Sequence, residues 1–547
     1  MLIPELILSL VFGVSLHAFV LRHGEWDLAV PKLLATAGAA PLVLALGLLL
    51  RTETDPWSAV KTSSSLVATS ILGIYLSMLV YRVALHRLNR FPGPFLARVS
   101  NFYFASLTLK SRQEFLELHK LHKRYGDVVR IGASTLSIAE PKALRAVHLN
   151  TKCVKGPWYN SLAPESSVQT DRDVAQHAAR RRVWDRGFST RALRNYESRV
   201  SHYADKLLAY INDVEGEPMD ASLWFNFYSF DVMGDLSLGE SFGMLDRGKE
   251  HLVMTTLHDF MSMLGIFGHI MWMLRIFTSL PVVSAGTAKF KTWVREMVLK
   301  RMDNPPEVPD VFSWIIDEYK SHPQPTKQQT MDITADGLTI TVAGSDTTAA
   351  ALTCLFLELV THPDVTETLQ SELDDLFQEN PEPDANALSR LSYLQACIDE
   401  ALRLHPVVPA GAQRITPPGG LQIGDDLYIP GDVIVQVPTY TLHRDERSFV
   451  RPDEYIPERW TSKPDLIKDA SVFSPFSIGP YNCVGKQLAL MEIRGVTSRI
   501  LQRYDVSLAP GQTREAFING LVDGFTLACP KLNLVFTPRA SKAGGSS

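Results

Sequence analysis

The stretch Phe476-Ser-Ile-Gly479-Pro-Tyr481-Asn-Cys483-Val-Gly485 runs directly into the apolar helical pattern of Lys486–Ile500. A cysteine beside a helix start has what a metal-binding thiolate needs, because unpaired N–H groups and the positive end of the helix dipole stabilise the anion. Glycines at 479 and 485 allow a tight turn and close approach to a flat ligand. A cysteinate ligand pushes electron density onto iron and favours O–O cleavage. The same loop also suits a buried structural cysteine, the commoner fate of a lone one. A second candidate interrupts an apolar helical run: Ala343-Gly344-Ser345-Asp346-Thr347-Thr348. An acid beside a hydroxyl can pass protons there, a role worth about 10²–10⁴ in rate. An Asp paired to a nearby Arg, with threonines bonded to their own helix carbonyls, explains the same residues without chemistry. Glu400 and Arg403 stand three apart, on one face of a helix. At a surface such a pair contributes about 0–1 kcal/mol, but Ala396, Ile398, Leu402 and Leu404 make this helix otherwise apolar.

Taken together, these motifs resemble the cytochrome P450 superfamily, whose heme loop reads Phe, two residues, Gly, one residue, Arg, one residue, Cys, one residue, Gly. Every position matches except Tyr481, which stands where Arg is usual and removes one expected cation near a heme propionate. The resemblance runs from about residue 85 to the C-terminus and is carried by four motifs in the family's order. It implies heme b, with Cys483 as the axial iron ligand and Phe476 and Gly485 in the cofactor-binding loop. It makes Thr347 the oxygen-proximal hydroxyl and Asp346 its proton partner. Pro457-Glu-Arg459-Trp resembles the family's P-E-R-F segment, so Glu400, Arg403 and Arg459 would form a buried structural network behind the heme. In the family a Trp and a basic residue hold the spacing of His177 and Arg181 and bind a propionate; His177 departs from that pattern and Arg181 fits it. Arg414 fits the second propionate-binding position. The activity implied is a monooxygenase that uses O2 and electrons from NADPH–cytochrome P450 reductase to oxidise an apolar small molecule. Within Arg180-Arg181-Arg182, Arg181 should turn inward, leaving Arg180 or Arg182 to face the reductase together with Lys486.

The elements that must position these residues follow from periodicity. Residues 332–360, 364–379, 388–404 and 484–503 carry helical patterns. Asp127–Gly132 with Leu136–Ile138 reads as a short hairpin, and further short strands fall around 412–437 and 525–536. The expected class is mainly α with a small β-rich part, the P450 fold. Pocket contributors are expected in 157–174, 225–290, Val342–Ala343 and Asn519–Phe525. No repeat is present, nor any low-complexity segment beyond the Ala543-Gly-Gly-Ser tail.

The first ninety residues differ from the rest. Leu2–Leu21, Ala29–Leu50 and Ser65–Val80 are apolar stretches, two of them about the 20 residues a bilayer crossing needs. A buried helical hairpin is the competing reading. Arg82, His86, Arg87 and Arg90 follow, which by the positive-inside rule puts the main domain in the cytosol, on the endoplasmic reticulum membrane. Pro92-Gly93-Pro94 cannot continue a helix and reads as an elbow. The division expected is therefore an anchor of one to three transmembrane helices over 1–90 and a catalytic domain over 91–547. The elbow, the long anchor and Lys155-Gly-Pro-Trp158 resemble fungal members, many of which serve secondary metabolism.

Composition narrows the alternatives. A net charge of −5 argues against nucleic-acid binding. Five scattered cysteines, without a C-x-x-C pair, argue against a disulfide framework or a zinc site. Gly239-Glu-Ser241-Phe-Gly243 matches the G-x-S-x-G elbow of serine hydrolases, but that elbow needs a preceding strand and the residues before it look helical. A heme-binding sensor, and a P450-fold rearranging enzyme that uses no external electrons, remain as further readings.

Overall fold

The computed structural model describes residues 2–51 and 54–539, with the side chains of Leu2 and 282–287 left aside; the Ala-Gly-Gly-Ser tail lies outside the described residues. Helix α1 (Leu2–Leu16) runs on through a π-turn to Leu21, followed by α2 (Val30–Arg51) and α3 (Pro56–Val80). α3 starts well before the apolar stretch that marks it in the sequence. Asp55 accepts the Ser58 N–H at 3.0 Å and Pro56 fills the first turn, a start signal that hydropathy does not weigh. Its serines and threonines bond to their own helix: Ser65 Oγ donates to Lys61 O at 2.9 Å and Thr69 Oγ1 to Ser65 O at 2.7 Å. α1 and α3 touch backbone to backbone, since a Cβ on Gly13 would stand 2.0 Å from Ser70 O and one on Gly73 2.3 Å from Leu10 O.

Four helices among the described residues are long and apolar enough to cross a membrane. The three N-terminal ones bury only 6–11% of their apolar windows, whereas the fourth, Lys327–Thr361, buries 78% and is the central helix of the fold. A capping box between Thr326 and Gln329 starts it. Helix Ala221–Met233 lies along it, and Gly344 is what lets them meet, because a Cβ there would come within 2.5 Å of Met233 Sδ. The room that this glycine makes is taken by a neighbouring helix.

A five-stranded sheet lies beside the helical part. β1 (Val128–Gly132) pairs antiparallel with β2 (Thr135–Ile138), and β2 runs parallel to Ile434–Gln436. Arg414–Ile415 and β3 (Val154–Lys155) complete it, each antiparallel to its neighbour. The expected 388–404 helix is a turn, Ala385–Leu388, then Ser392–Leu404. The elbow is tied to strand β1 of the sheet rather than being a free hinge. Arg130 N–H donates to Pro92 O at 2.8 Å, and Gly93 (φ +151) would place a Cβ 2.4 Å from Arg130 O. Leu88 and Phe91 are buried in the cluster over this sheet, so the core extends back across the boundary drawn at residue 90.

Candidate active site

The loop before helix Lys486–Arg503 closes on itself, with Cys483 N–H donating to Phe476 O at 2.9 Å. The Cys483 sulfur accepts the backbone N–H groups of Gly485 and Lys486 at the helix start. Burial nevertheless dominates and raises the thiol pKa, outweighing those N–H groups and the nearby Arg181 and Lys486. Cys483 is still open on one side, so it stands in a protein-walled recess. Of the two glycines, only Gly479 is demanded by the protein: φ is +78 and a Cβ would lie 2.1 Å from His148 O. Gly485 has φ −80 and a Cβ there would meet nothing closer than Phe188 at 3.7 Å. A Cβ at Gly485 would meet the sulfur at 3.9 Å, an ordinary van der Waals contact, so the protein itself tolerates a side chain there.

Tyr481 sits at the centre of a cluster of bases. Lys155 Nζ and Arg414 Cζ each lie 4.9 Å from its ring centroid, and the His177 ring meets it edge-on at 4.7 Å. Lys155 is 2% exposed and donates to Val168 O at 2.9 Å. Burial first, and then Arg414, push its pKa down to about 7. Arg414 donates from Nη1 to Gln413 O at 2.8 Å and to Tyr159 Oη at 3.2 Å, while its buried Nε has no partner. His148 Nδ1 is likewise buried without a partner. Burial, then Lys155 and Arg181, depress the His177 pKa to about 3, so this histidine is neutral at pH 7 and lines the cluster as an uncharged ring, as the Trp usual at its position would. Arg181 reaches the loop itself, donating from Nη1 to Asn482 O at 2.7 Å and from Nε to Asp185 at 2.8 Å. Arg180 turns inward to Asp336 at 2.7 Å, which leaves Arg182 as the exposed member of the run.

On the central helix, Ala343 is exposed although most of the helix is buried, so an open surface lies against its middle. Thr347 Oγ1 donates to Ala343 O at 2.7 Å. Asp346 accepts from His258 Nε2 at 3.1 Å, a half-exposed histidine on helix Leu252–Phe267. Burial lowers the His258 pKa, but the hydrogen bond and charge of Asp346 outweigh it and hold the imidazolium above its usual value. The partner of Asp346 is thus titratable, not an arginine.

Glu400, Arg403 and Arg459 meet with none of them exposed. Arg403 donates to Glu400 through Nε and Nη2, both at 2.9 Å, and Arg459 Nε reaches Glu400 Oε1 at 2.8 Å. Trp460 Nε1 and Ile456 N–H complete the carboxylate at 2.9 and 3.0 Å. Arg403 Nη1 spends its remaining donors on His443 O and Pro452 O at 2.8 and 2.6 Å.

The cytochrome P450 family profile matches residues 94–536. A cytochrome P450 monooxygenase of Fusarium pseudograminearum, FCK2, is 48% identical over 98% of both chains. The chain belongs to the cytochrome P450 family. The tryprostatin B 6-hydroxylase of Aspergillus fumigatus is 35% identical to this P450, covering 97% of this chain and 95% of its own. The crystal structure of the cytochrome P450DA heme domain shares the fold, with a TM-score of 0.68 at 18% identity over 79% of this chain and 95% of that one. The protein is a P450 monooxygenase, and heme b is its cofactor.

The residues present fit that cofactor. Buried cations around Tyr481 have no carboxylate hydrogen-bonded to them among the described residues, which is the donor set that two propionates would complete. Glycine at 485 keeps a side chain out of van der Waals contact with the sulfur of the exposed Cys483, which suits a flat macrocycle. Sequence reasoning missed the positions of Lys155 and His258 here. The one signal for Lys155 was a charged residue in a short apolar strand; nothing local marked His258, which is 88 residues from Asp346. The G-x-S-x-G match is no elbow: helix Ala221–Met233 and a π-turn to Leu238 precede it, and Ser241 Oγ accepts the Gly243 N–H at 3.0 Å and hydrogen-bonds Tyr203.

Proposed function

We propose that this P450 monooxygenase binds heme b through Cys483, with Lys155 and Arg414 holding the propionates on the platform of Tyr481, His177 lining their recess and Phe476 and Gly485 bordering the macrocycle. The observation that carries this reading is the accessible Cys483 sulfur in its loop at a helix start. Lys155 takes the place of the loop arginine: Tyr481 contributes a ring face, and the charge comes from β3. Cation–π contacts of this kind contribute roughly 0.5–2 kcal/mol each. The bound heme supplies oxygen activation, helped by electron donation from the cysteinate. Asp346 and Thr347 handle protons on the opposite side. For Thr347 to pass one on, its hydroxyl must turn away from Ala343 O, and Asp346 exchanges protons through His258.

Electrons come from NADPH–cytochrome P450 reductase, and the substrate is an apolar small molecule of fungal secondary metabolism, in keeping with the tryprostatin hydroxylase among the relatives. The three N-terminal helices anchor the protein in the endoplasmic reticulum membrane with its catalytic domain cytosolic. The anchor ends before His86, because Leu88 already belongs to the core. The reduced carbon-monoxide difference spectrum tests the ligand. Cys483→Ala should abolish the thiolate-type Soret band, and a variant that keeps the full band defeats the reading. Product formed without NADPH or reductase would instead place the protein with the rearranging enzymes.

A further inference from the structure

The N-terminal helices touch the rest of the molecule at a second place besides their covalent join. The segment between α1 and α2, residues 22–29, lies at the same end as the C-terminal end of α3, and it carries two carboxylates that reach away from the helices. Glu25 takes both terminal nitrogens of Arg172 at 2.6 Å, the fork-to-fork geometry that gives a charge pair direction as well as strength. The third nitrogen of Arg172 donates to Lys155 O at 3.0 Å. Asp27 accepts the backbone N–H of Trp272 in the first turn of helix Met271–Ser279. That helix has no side-chain cap of its own at Ile270, so the N-terminal segment supplies from outside the acceptor that its first turn lacks.

Both contacts bear on one wall. Met271 and Leu274 pack with Trp158, Tyr159, Leu264 and partly buried Phe525 in one apolar cluster. Arg275, on the same helix, donates to Ala163 O at 2.7 Å and also to Asn160 O. Helix Met271–Ser279 and the 155–173 segment are therefore joined to each other on the inside and to the 22–29 segment on the outside.

We propose that residues 22–29 clamp the wall of the substrate pocket, with Glu25 and Asp27 as positioning residues that fix helix Met271–Ser279 and the segment 155–173 relative to each other. The N-terminal helices are then a brace for the pocket as well as an anchor. The pocket part of this statement rests on the reading that 157–174 and the 225–290 stretch line the substrate site; the clamp itself does not.

Hydrogen exchange on the heme-loaded, full-length protein in phospholipid nanodiscs tests it. Glu25→Gln with Asp27→Asn should speed amide exchange about tenfold in 156–173 and 271–279, by easing local opening, and leave Ser392–Leu404 unchanged. Unchanged exchange in both segments overturns the clamp. The swap Glu25→Arg with Arg172→Glu should restore protection in 156–173, and failure to restore it overturns the pairing. Arg172→Lys, which keeps the charge and loses the fork, gives a milder second variant with an intermediate rate. Imidazole and 4-phenylimidazole binding, read from the heme spectrum, separates the pocket from the clamp. The bulky ligand's affinity should shift several-fold while the small one's holds. Faster exchange with the affinity ratio intact would leave the clamp standing and overturn its role in shaping the pocket.

Discussion

Two of the buried charge groups in this molecule, one around Glu400 and one around Tyr481, are built in opposite ways. Around Glu400, every oxygen and guanidinium nitrogen has a partner: the two arginines share one carboxylate with Trp460 and give their other donors to backbone carbonyls. Around Tyr481, Lys155 and Arg414 have carbonyls, a phenol and a ring face but, among the described residues, no hydrogen-bonded carboxylate, and the buried Arg414 Nε has no partner. Charge buried without compensation is strongly unfavourable, so the first group is a finished structural joint, whereas the second has the open donors that the proposed propionate site requires. The difference teaches how to separate structural from functional ions in one fold: by counting what each lacks.

The sharpest way to break the comparison is to unfinish the finished group. Glu400→Gln leaves two buried arginines facing a neutral amide, and removing one partner of a buried network costs about 3–5 kcal/mol. Total stabilities are about 5–15 kcal/mol, so yield and denaturant midpoint of the variant should both fall steeply. A midpoint close to that of the parent would mean the network is not the joint its geometry describes.

The unfinished group should respond differently. Lys155→Met removes a buried cation with no hydrogen-bonded carboxylate and a burial penalty that Asp171 does not offset, so the heme-free protein should be as stable as the parent or more so. The heme-loaded protein should lose its cofactor faster. A hydrogen bond to a charged group is worth about 1.5–3 kcal/mol, hence about 10–100-fold in transfer to apomyoglobin. Arg414→Leu should act in the same direction. Destabilised heme-free protein with unchanged heme loss would move Lys155 into the structural class.

A smaller and more selective contrast lies in pH. Burial and Arg414 lower the Lys155 pKa from 10.5 to about 7, with Asp171 opposing and Arg180 and Arg181 adding to the effect. Between about pH 7 and 10.5 the unfolded chain binds a proton that the folded, heme-free protein has released, so stability rises with pH there. Below pH 7 the penalty is present in full. The thermal midpoint of heme-free parent should climb from pH 7 towards 10 more than that of Lys155→Met. Acid pH does not discriminate: burial holds His443, beside the network, and His177, in the cluster, both at about 3. Both therefore cost stability as pH falls below 6.5. Parallel alkaline limbs for the two proteins would remove Lys155 from this account.

How legible all this was in the sequence depended on distance along the chain. The Cys483 loop, the i, i+3 pair at Glu400 and Arg403, and the long apolar helix are local patterns, and the structure shows each of these elements at those residues. The joining of β3 to Arg414–Ile415, which brings Lys155 beside Tyr481, is a pairing across more than 250 residues and leaves no local trace. The same holds for His258 and Asp346. Hydropathy found three N-terminal helices but placed the start of α3 too late, because a cap and a proline carry that signal. Pro92-Gly93-Pro94 read as an elbow because proline ends helices; its glycine is there for the close approach to Arg130.

A third kind of charge, neither finished nor awaiting a ligand, gives the smallest effect. Arg180 is spent on Asp336, with Asp171 and Asp332 within 4 Å, whereas Arg182 and Lys486 are exposed. Lys486 follows Cys483 by three residues, and Arg182 shares a helix with Arg181, which touches the ligand loop at Asn482. Both charges therefore lie towards the cysteine side, where the proposed reductase would dock. Exposed charges on such a rim alter encounter rate more than affinity, and salt screens them over about 8–10 Å at physiological ionic strength. Arg182→Glu with Lys486→Glu should slow reduction of the heme several-fold at low salt, with the gap to the parent closing as salt is added. Heme content and azole binding should not move, because neither residue belongs to the network or to the cluster. Stopped-flow reduction across a salt series reads the difference. Equal rates at low salt would mean that the donor docks elsewhere. A defect that salt leaves unchanged would mean that these charges belong to one of the buried groups after all.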